Sequence, residues 1–132
     1  MKYVFPAVFR PEDDGGFCVF FPDVKRGATQ GETVSECIDM AQDFLCLALY
    51  EMERDGVLIP EATDMKVLAT EESDIVTLIS VDTDFYHRYY SNKLVKKTLN
   101  IPMWLNVQAE RANVNFSALL QSALKEHLHI NE

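Results

Sequence analysis

Three polar side chains near the end of the chain, Lys96, Thr98 and Asn100, alternate with apolar residues as in a half-buried strand. Because Leu99 and Ile101 occupy the other phase, we expect them to face a core and the three polar residues to share the opposite face. Asn can pair with adenine N6 and N7, Lys with guanine, and Thr with a base edge or a thymine methyl. The spacing therefore predicts a strand with one polar face, which is ordinarily just solvated but whose residue types could also contact bases.

Contacts to phosphate are predicted beside this strand. Lys97 falls on the core-facing phase, from which its long side chain can extend outward toward a phosphate. Asn115, Phe116 and Ser117 begin a helix, and the free amides and positive dipole end of a helix N-terminus suit a backbone phosphate. Asn at such a position is also a common helix cap that binds no ligand, so both roles stay open.

These groups are positioned by a strand, a helix that starts near Pro102 and a helix that starts near Asn115. Ahead of them, Tyr3–Arg10 and Phe17–Phe21 are apolar, β-type runs joined by a glycine-containing turn, which predicts a hairpin. Apolar residues then recur every three or four positions over Val34–Arg54, which predicts a long amphipathic helix.

Capping residues mark both ends of that helix. Thr33 and Glu36 form a capping box at its start, and Asp55-Gly56 is a typical helix end. Two β-rich runs, Met65–Thr70 and Ile75–Val81, follow as a third and a fourth strand. The order β-β-α-β-β predicts an α+β fold, with an antiparallel sheet and one helix on one of its faces.

The charge of the chain is divided unevenly. Its 132 residues are 48% hydrophobic and 25% charged, as in folded soluble proteins, and no apolar run is long enough to cross a membrane, so we expect a cytoplasmic protein. Residues 1–92 hold 7 Lys/Arg and 18 Asp/Glu, a net charge of −11. Residues 93–132 hold 5 and 3, a net charge of +2. The asymmetry predicts two domains, 1–92 and 93–132, with different partners.

Catalytic and metal chemistry find little support in the sequence. The three cysteines lack the spacing of zinc modules: they are Cys18, Cys37 and Cys46. Glu36, Asp39 and Asp43 fall on the polar face of the long helix, where charges are ordinarily solvated. Two-metal hydrolysis needs carboxylates that converge on one pocket, and no nucleophile-and-base pattern is present. We therefore expect no cofactor, no metal and no catalytic residue.

The front of the chain resembles the HicB antitoxin family, whose N-terminal domain is a partial ribonuclease H-like fold. The resemblance covers about residues 2–81. It rests on an ordered series of short motifs: Gly15-Gly16-Phe17, Phe21-Pro22-Asp23, Ala28-Thr-Gln-Gly31-Glu-Thr33, Glu36 and Ala41 in the helix, and Ile59-Pro60. The sequence departs from the family at Lys25-Arg26-Gly27-Ala28, where many members have a Pro-Gly-Cys turn.

The back of the chain, about residues 95–129, resembles the ribbon-helix-helix domain that some HicB proteins carry. The matching residues are Leu99, Pro102, Leu105, Asn115-Phe-Ser, Leu119, Leu120, Ala123 and Leu124. The resemblance implies that two chains pair their strands as a homodimer and place the ribbon in the major groove, with Lys96, Thr98 and Asn100 toward the bases. A net charge of only +2 predicts modest non-specific affinity, so we expect a dimer of dimers on repeated half-sites.

The family resemblance further implies a toxin partner for the acidic domain. This partner is HicA, a small basic ribonuclease that cleaves messenger RNA, and an acidic surface suits it electrostatically. Phe20, Phe21 and Asp23, at the end of the hairpin, are candidate toxin contacts, with core packing the expected role of at least one phenylalanine. The chain is then an antitoxin that also represses its own operon by binding operator DNA.

Two alternatives belong to other classes. One is a stand-alone transcriptional repressor whose front domain senses a small molecule, which predicts no small basic protein encoded next door. The other is a metal-dependent nuclease, suggested by the ribonuclease H-like fold and opposed by the scattered carboxylates.

Overall fold

The computed structural model describes residues 1–131. The chain separates into two compact units, of which the first is Met1–Asn92 and the second begins at Lys93. No helix within residues 1–131 is long and apolar enough to cross a membrane.

The first unit is built on a four-stranded antiparallel sheet. Its strands are β1 (Lys2–Pro11), β2 (Phe17–Phe20), β3 (Ala28–Gly31) and β4 (Ile75–Asp82), in the spatial order β3-β2-β1-β4. The hairpin pairs Val8 with Phe20, and Gly15 and Gly16 in its turn have positive φ, which glycine adopts without steric cost. β1 is central because its other edge pairs with β4. The predicted α+β class and antiparallel sheet are confirmed.

Helix α1 (Val34–Arg54) follows β3 and has the predicted bounds. The Thr33 hydroxyl accepts a hydrogen bond from the Glu36 amide at 3.1 Å, while the Glu36 carboxylate accepts from the Glu32 amide at 3.4 Å. At the other end Gly56 takes φ +70°, and the Val57 amide donates to the Met52 carbonyl at 2.9 Å. Both helix ends therefore satisfy backbone groups that the helix itself leaves free.

The core lies between α1 and one face of the sheet. β1 contributes Phe5, Ala7 and Phe9, and α1 contributes residues spaced along one stripe. That stripe consists of Cys37, Ala41, Leu45, Ala48, Leu49 and Met52. Gly31 is required where β3 meets the helix, since a Cβ there would lie 2.8 Å from the Cys37 sulfur.

Two elements differ from the sequence-based prediction. Met65–Thr70 is not a strand: Met65–Val67 forms a 3₁₀ turn, because the Asp64 side chain accepts from the Lys66 amide at 2.9 Å and caps it. The third strand is instead β3, which pairs with β2 through Phe17 and Gly31. β3 escaped prediction because an edge strand with Gly31 as its one buried position has no apolar alternation.

A short helix, α2 (Asp84–Tyr89), follows β4. Its Tyr86 ring packs 5.7 Å from the buried Tyr50 ring of α1, and Tyr90 stacks on Tyr50 at 5.5 Å. The aromatic side chains of this segment therefore pack locally against α1. Phe85 and Tyr89 nevertheless remain 65% and 68% exposed.

The second unit contains two helices, α3 (Met103–Arg111) and α4 (Phe116–His127). Pro102 caps α3, and Asn113 takes the left-handed conformation, φ 55°, in the turn between the helices. Residues 91–102 lie outside any helix or strand of the single chain. The predicted ribbon strand falls in this segment, and a ribbon takes its hydrogen bonds from a second chain, so it stays a prediction.

A bidentate ion pair fixes the start of β4 to the end of β1. Arg10 donates through Nε and Nη2 to the two carboxylate oxygens of Asp74, at 3.0 and 2.9 Å, and its guanidinium lies 5.0 Å from the centre of the Phe20 ring. Asp74 also accepts from the Glu71 amide at 2.8 Å. These hydrogen bonds, from Arg10 above all, hold the pKa of Asp74 below its ordinary value of 3.8.

This ion pair predicts a pH dependence of stability. Because the pKa of Asp74 is depressed in the folded state, the pair stabilises the fold above the ordinary pKa, and that contribution is lost as the pH falls through the folded value. We expect the full chain with Asp74→Asn to unfold at a lower temperature than wild type near neutral pH. Below about pH 4 the difference between the two unfolding temperatures should become smaller. The control is Glu72→Gln, an exposed carboxylate of the same turn. Equal losses for Asp74→Asn at both pH values would contradict the assignment.

Candidate functional site

The residues predicted to meet bases are all exposed. Lys96, Thr98 and Asn100 lie with Lys97 in the segment before α3, and each presents its side chain to solvent. No ladder in the single chain assigns Lys97 and Asn100 to opposite faces, so the predicted division into base-facing and core-facing residues awaits a paired strand.

The start of α4 has the geometry of a capped helix. The Asn115 side-chain oxygen accepts a hydrogen bond from the Ala118 amide at 3.0 Å, so the capping role of Asn115 is confirmed. Phe116, which is 44% exposed, and the exposed Ser117 follow in the first turn. The remaining amides of this turn are oriented along the helix axis, as phosphate binding at a helix N-terminus requires.

Apolar exposure sets the second unit apart. None of its described residues, 93–131, is buried. Trp104 is 62% exposed, and twelve further large apolar side chains are also exposed: Leu94, Val95, Leu99, Ile101, Met103, Leu105, Val107, Phe116, Leu119, Leu124, Leu128 and Ile130. Monomeric soluble proteins seldom leave so much contiguous apolar surface to water, which indicates that another surface covers it.

The three candidate toxin contacts occupy different environments. Phe20 is half-buried beneath the Arg10 guanidinium, 5.0 Å from the centre of its ring. Phe21 is 2% exposed and stacks on Phe44 at 6.1 Å in the core, so it offers no surface to a partner. Asp23 accepts hydrogen bonds from the Thr63 amide and hydroxyl, at 2.9 and 2.5 Å. Phe21 is thus a core residue, and Asp23 holds the loop that follows α1.

Carboxylates and histidines do not converge. Within residues 1–131 no group of three or more His, Cys, Asp or Glu side chains is arranged to hold a metal ion. Glu36, Asp39 and Asp43 are exposed on α1. His87 lies 3.3 Å from Glu53; although burial opposes ionisation, hydrogen bonds from Thr83, His87 and Tyr3 lower the pKa of Glu53.

The comparisons with known proteins point to one family. No protein-family model matches the chain. Antitoxin HicB of Escherichia coli K12 is 40% identical over 60 residues, which are 46% of this chain and 42% of that protein. A chain of the toxin–antitoxin complex from Streptococcus pneumoniae matches with a TM-score of 0.61 and 26% identity, over 96% of this chain and 99% of that chain. The chain is similar to HicB antitoxins, in sequence over those 60 residues and in fold along most of its length.

Solved HicB structures share the fold described above. The Burkholderia pseudomallei antitoxin HicB superposes with a TM-score of 0.54 over 94% of this chain and 98% of its own, at 19% identity. The chain spans 42% of the length of the Escherichia coli relative. These relatives are named as antitoxins.

One surface was missed by sequence reasoning. Phe85, Tyr89 and Tyr90 pack on their neighbours, yet each remains more than half exposed. The available signal was the spacing of Phe85 and Tyr89, which lie four residues apart on a helix only six residues long. Aromatic residues held at the surface are typical of protein interfaces.

Asn115 allows its capping role to be separated from a role in binding DNA. Asn115→Ala removes the bond to the Ala118 amide and should destabilise the second unit by about 1 kcal/mol, whereas Asn115→Ser keeps a capping oxygen and should cost little. Thermal unfolding of the full chain measures both. If DNA affinity falls in the stable Asn115→Ser variant, the side chain contacts DNA itself; equal unfolding temperatures for Ala and Ser would contradict the cap.

Proposed function

We propose that this chain is the antitoxin of a toxin–antitoxin pair. Its first unit binds and neutralises a small basic ribonuclease of the HicA kind, and its second unit, as a homodimer, represses the operon by binding operator DNA. Similarity to HicB antitoxins supports the first role, and the exposed apolar surface of the second unit is the observation that carries the homodimer. The sequence around Lys96, Thr98 and Asn100 supports DNA as the ligand.

The acidic unit suits a basic partner. It carries a net charge of −11 over residues 1–92, and most of its carboxylates are exposed. A field of this sign speeds encounters with a positively charged ribonuclease and disfavours nucleic acid at the same surface. The unit also has its own buried core, so it offers a preformed surface to the toxin.

Dimerisation follows from the size of the second unit. Two short helices and the segment before them cannot enclose their own apolar side chains, and thirteen large ones are exposed in the single chain. A second copy provides a matching surface by symmetry, since an isologous interface presents the same patch on both sides. Pairing of the two segments around Leu99 and Ile101 would cover those residues and turn Lys96, Thr98 and Asn100 outward.

DNA reading then uses a paired ribbon together with the starts of two α4 helices. Each copy brings only +2 from residues 93–132, so non-specific attraction is modest and base contacts have to provide discrimination. Two dimers on repeated half-sites would double the contacts without a new surface, as in other symmetric repressors.

A ligand-sensing repressor remains the second candidate, favoured by one observation. A groove of about 690 Å³ opens between Met1–Phe5 and Gly56–Ala62. Small-molecule sites usually enclose most of their ligand, whereas this groove is wide open to solvent. The antitoxin proposal therefore has the better support.

The first test is co-expression of the chain with the small basic protein encoded by the adjacent gene. We expect the neighbour to arrest growth alone, the pair to restore growth, and the two proteins to co-purify, because the acidic unit covers the basic active surface. Co-expression of the neighbour with an unrelated protein is the control for nonspecific rescue. A harmless neighbour, or one that kills regardless and does not bind, would overturn the antitoxin proposal in favour of the ligand-sensing repressor.

The second test separates the two roles. Replacing Lys96, Thr98 and Asn100 together by Ala should weaken operator binding at least about a hundredfold, since each good base contact contributes about 1–3 kcal/mol. Toxin binding should stay unchanged because these residues belong to the other unit. Lys66→Ala, which removes a cation from the first unit, is the control for a general charge effect. Loss of both activities with the fold preserved would contradict the two-role proposal.

A further inference from the structure

The outer side of α1 and the helix α2 carry exposed apolar side chains within the first unit. Met40 and Leu47 are each 38% exposed on α1, and Phe85, Tyr89 and Tyr90 are 65%, 68% and 55% exposed on or directly after α2. A shallow groove of about 380 Å³, lined in part by Met40, Leu47 and Tyr86, connects the two helices. We call this surface, made by Met40, Phe44, Leu47, Phe85, Tyr89 and Tyr90, the α1–α2 strip.

The aromatic part of the strip is held in place from below. Tyr50 is 7% exposed, and the rings of Tyr86 and Tyr90 pack against it at 5.7 and 5.5 Å. Tyr89 meets Tyr90 edge to face at 5.0 Å, and Phe85 stacks with Tyr89 at 5.8 Å. The exposed rings therefore lose little conformational freedom on binding, which favours affinity.

Negative charge borders the same surface. Asp43 lines the groove, and Asp39 lies one helical turn before it on α1, where residues four apart are neighbours. Asp84 begins α2 directly before Phe85, but it is paired with the N-terminal ammonium of Met1 at 2.6 Å, and Arg88 also lies on α2. The strip thus combines aromatic rings, which are enriched at binding hot spots, with carboxylates that attract a cationic partner.

Two other surfaces of the first unit lack this combination. The hairpin turn has Glu12, Asp13 and Asp14 but no exposed large apolar side chain beside them. The groove between Met1–Phe5 and Gly56–Ala62 is apolar, but it includes the cationic Lys2. A basic partner would therefore meet repulsion at that groove and little apolar contact at the turn.

We propose that the α1–α2 strip is the surface on which the acidic unit binds its small basic protein partner. The proposal rests on the antitoxin function and identifies the part of the molecule that performs it. Asp39 and Asp43 draw the partner in, and Phe85, Tyr89 and Tyr90 provide the apolar contact that slows its release.

The test compares charge reversals of equal size on two surfaces of the full chain. The strip variant is Asp39→Lys with Asp43→Lys, and the matched control is Asp13→Lys with Asp14→Lys in the hairpin turn; all four residues are exposed. The partner is the basic protein of the adjacent gene, recovered from the co-purified complex. At low salt we expect about tenfold or greater weakening for the strip variant and about twofold or less for the control.

A second variant, Phe85→Ser with Tyr89→Ser, tests the apolar contact. It should weaken binding about tenfold or more through faster dissociation, with little dependence on salt, since it removes anchors rather than charges. The far-UV circular dichroism and unfolding temperature of each variant verify that the fold is retained.

The outcomes distinguish this proposal from the proposed function. Suppose that wild type binds the partner. If both charge reversals then weaken binding equally, or if neither strip variant weakens binding, the strip is not the binding surface, while the antitoxin function stands. If wild type does not bind the partner, both proposals fall. If the strip variants change only the sedimentation of the free chain, a second copy occupies the strip, and the proposal is overturned.

Discussion

The second unit cannot bury its own apolar residues, and this constraint governs how the protein must assemble. Trp104 and Leu119 belong to different helices of the unit, yet both are about 60% exposed, and none of residues 93–131 is buried. A fold of this size exposes too much surface per buried group to be stable alone. If this unit forms the proposed homodimer, its stability is inseparable from association, and both its folding and its dimerisation depend on protein concentration.

The first unit meets the opposite condition. Its sheet and α1 enclose a continuous core that includes Phe9, Leu45 and Leu49, all fully buried. The ion pair of Arg10 with Asp74 ties β4 to β1, and the bond from Thr63 to Asp23 fixes the loop after α1. Such a unit keeps its shape whatever the second unit does. Two roles can therefore reside on one chain because only one of them requires a second copy.

The sequence anticipated those parts of the structure that are specified locally. The bounds of α1 follow from Thr33, Gly56 and an apolar period that runs unbroken between them. The Asn115 cap is likewise a short-range interaction, readable from the residue type and its place before an apolar run. Where one side chain accepts a hydrogen bond from an amide a few positions away, the local sequence is sufficient to predict the interaction.

Features that depend on distant partners were harder to predict. β3 exists because β2 provides a ladder, and its own residues carry no apolar alternation. Phe20 and Phe21 are identical neighbours, and only the sheet decides that Phe21 faces the core while Phe20 lies beneath Arg10. The predicted ribbon depends on a partner outside the chain altogether. The candidate DNA contacts were therefore chosen by residue type and by position in the strand alternation. Their geometry depends on the proposed dimer.

The distribution of charge limits how the proposed DNA contact can work. Each copy carries +2 in its second unit and −11 in its first, so the chain as a whole is repelled by a polyanion at long range. Recognition cannot depend on general attraction to phosphate, which normally supplies most non-specific affinity. It has to come from short-range contacts, such as those of Thr98 and Asn100 with bases and of the α4 N-terminus with phosphate. A weak non-specific affinity combined with strong base contacts suits a repressor that must find one operator among many other sites. Specificity is the difference between the affinity for the operator and the affinity for other DNA.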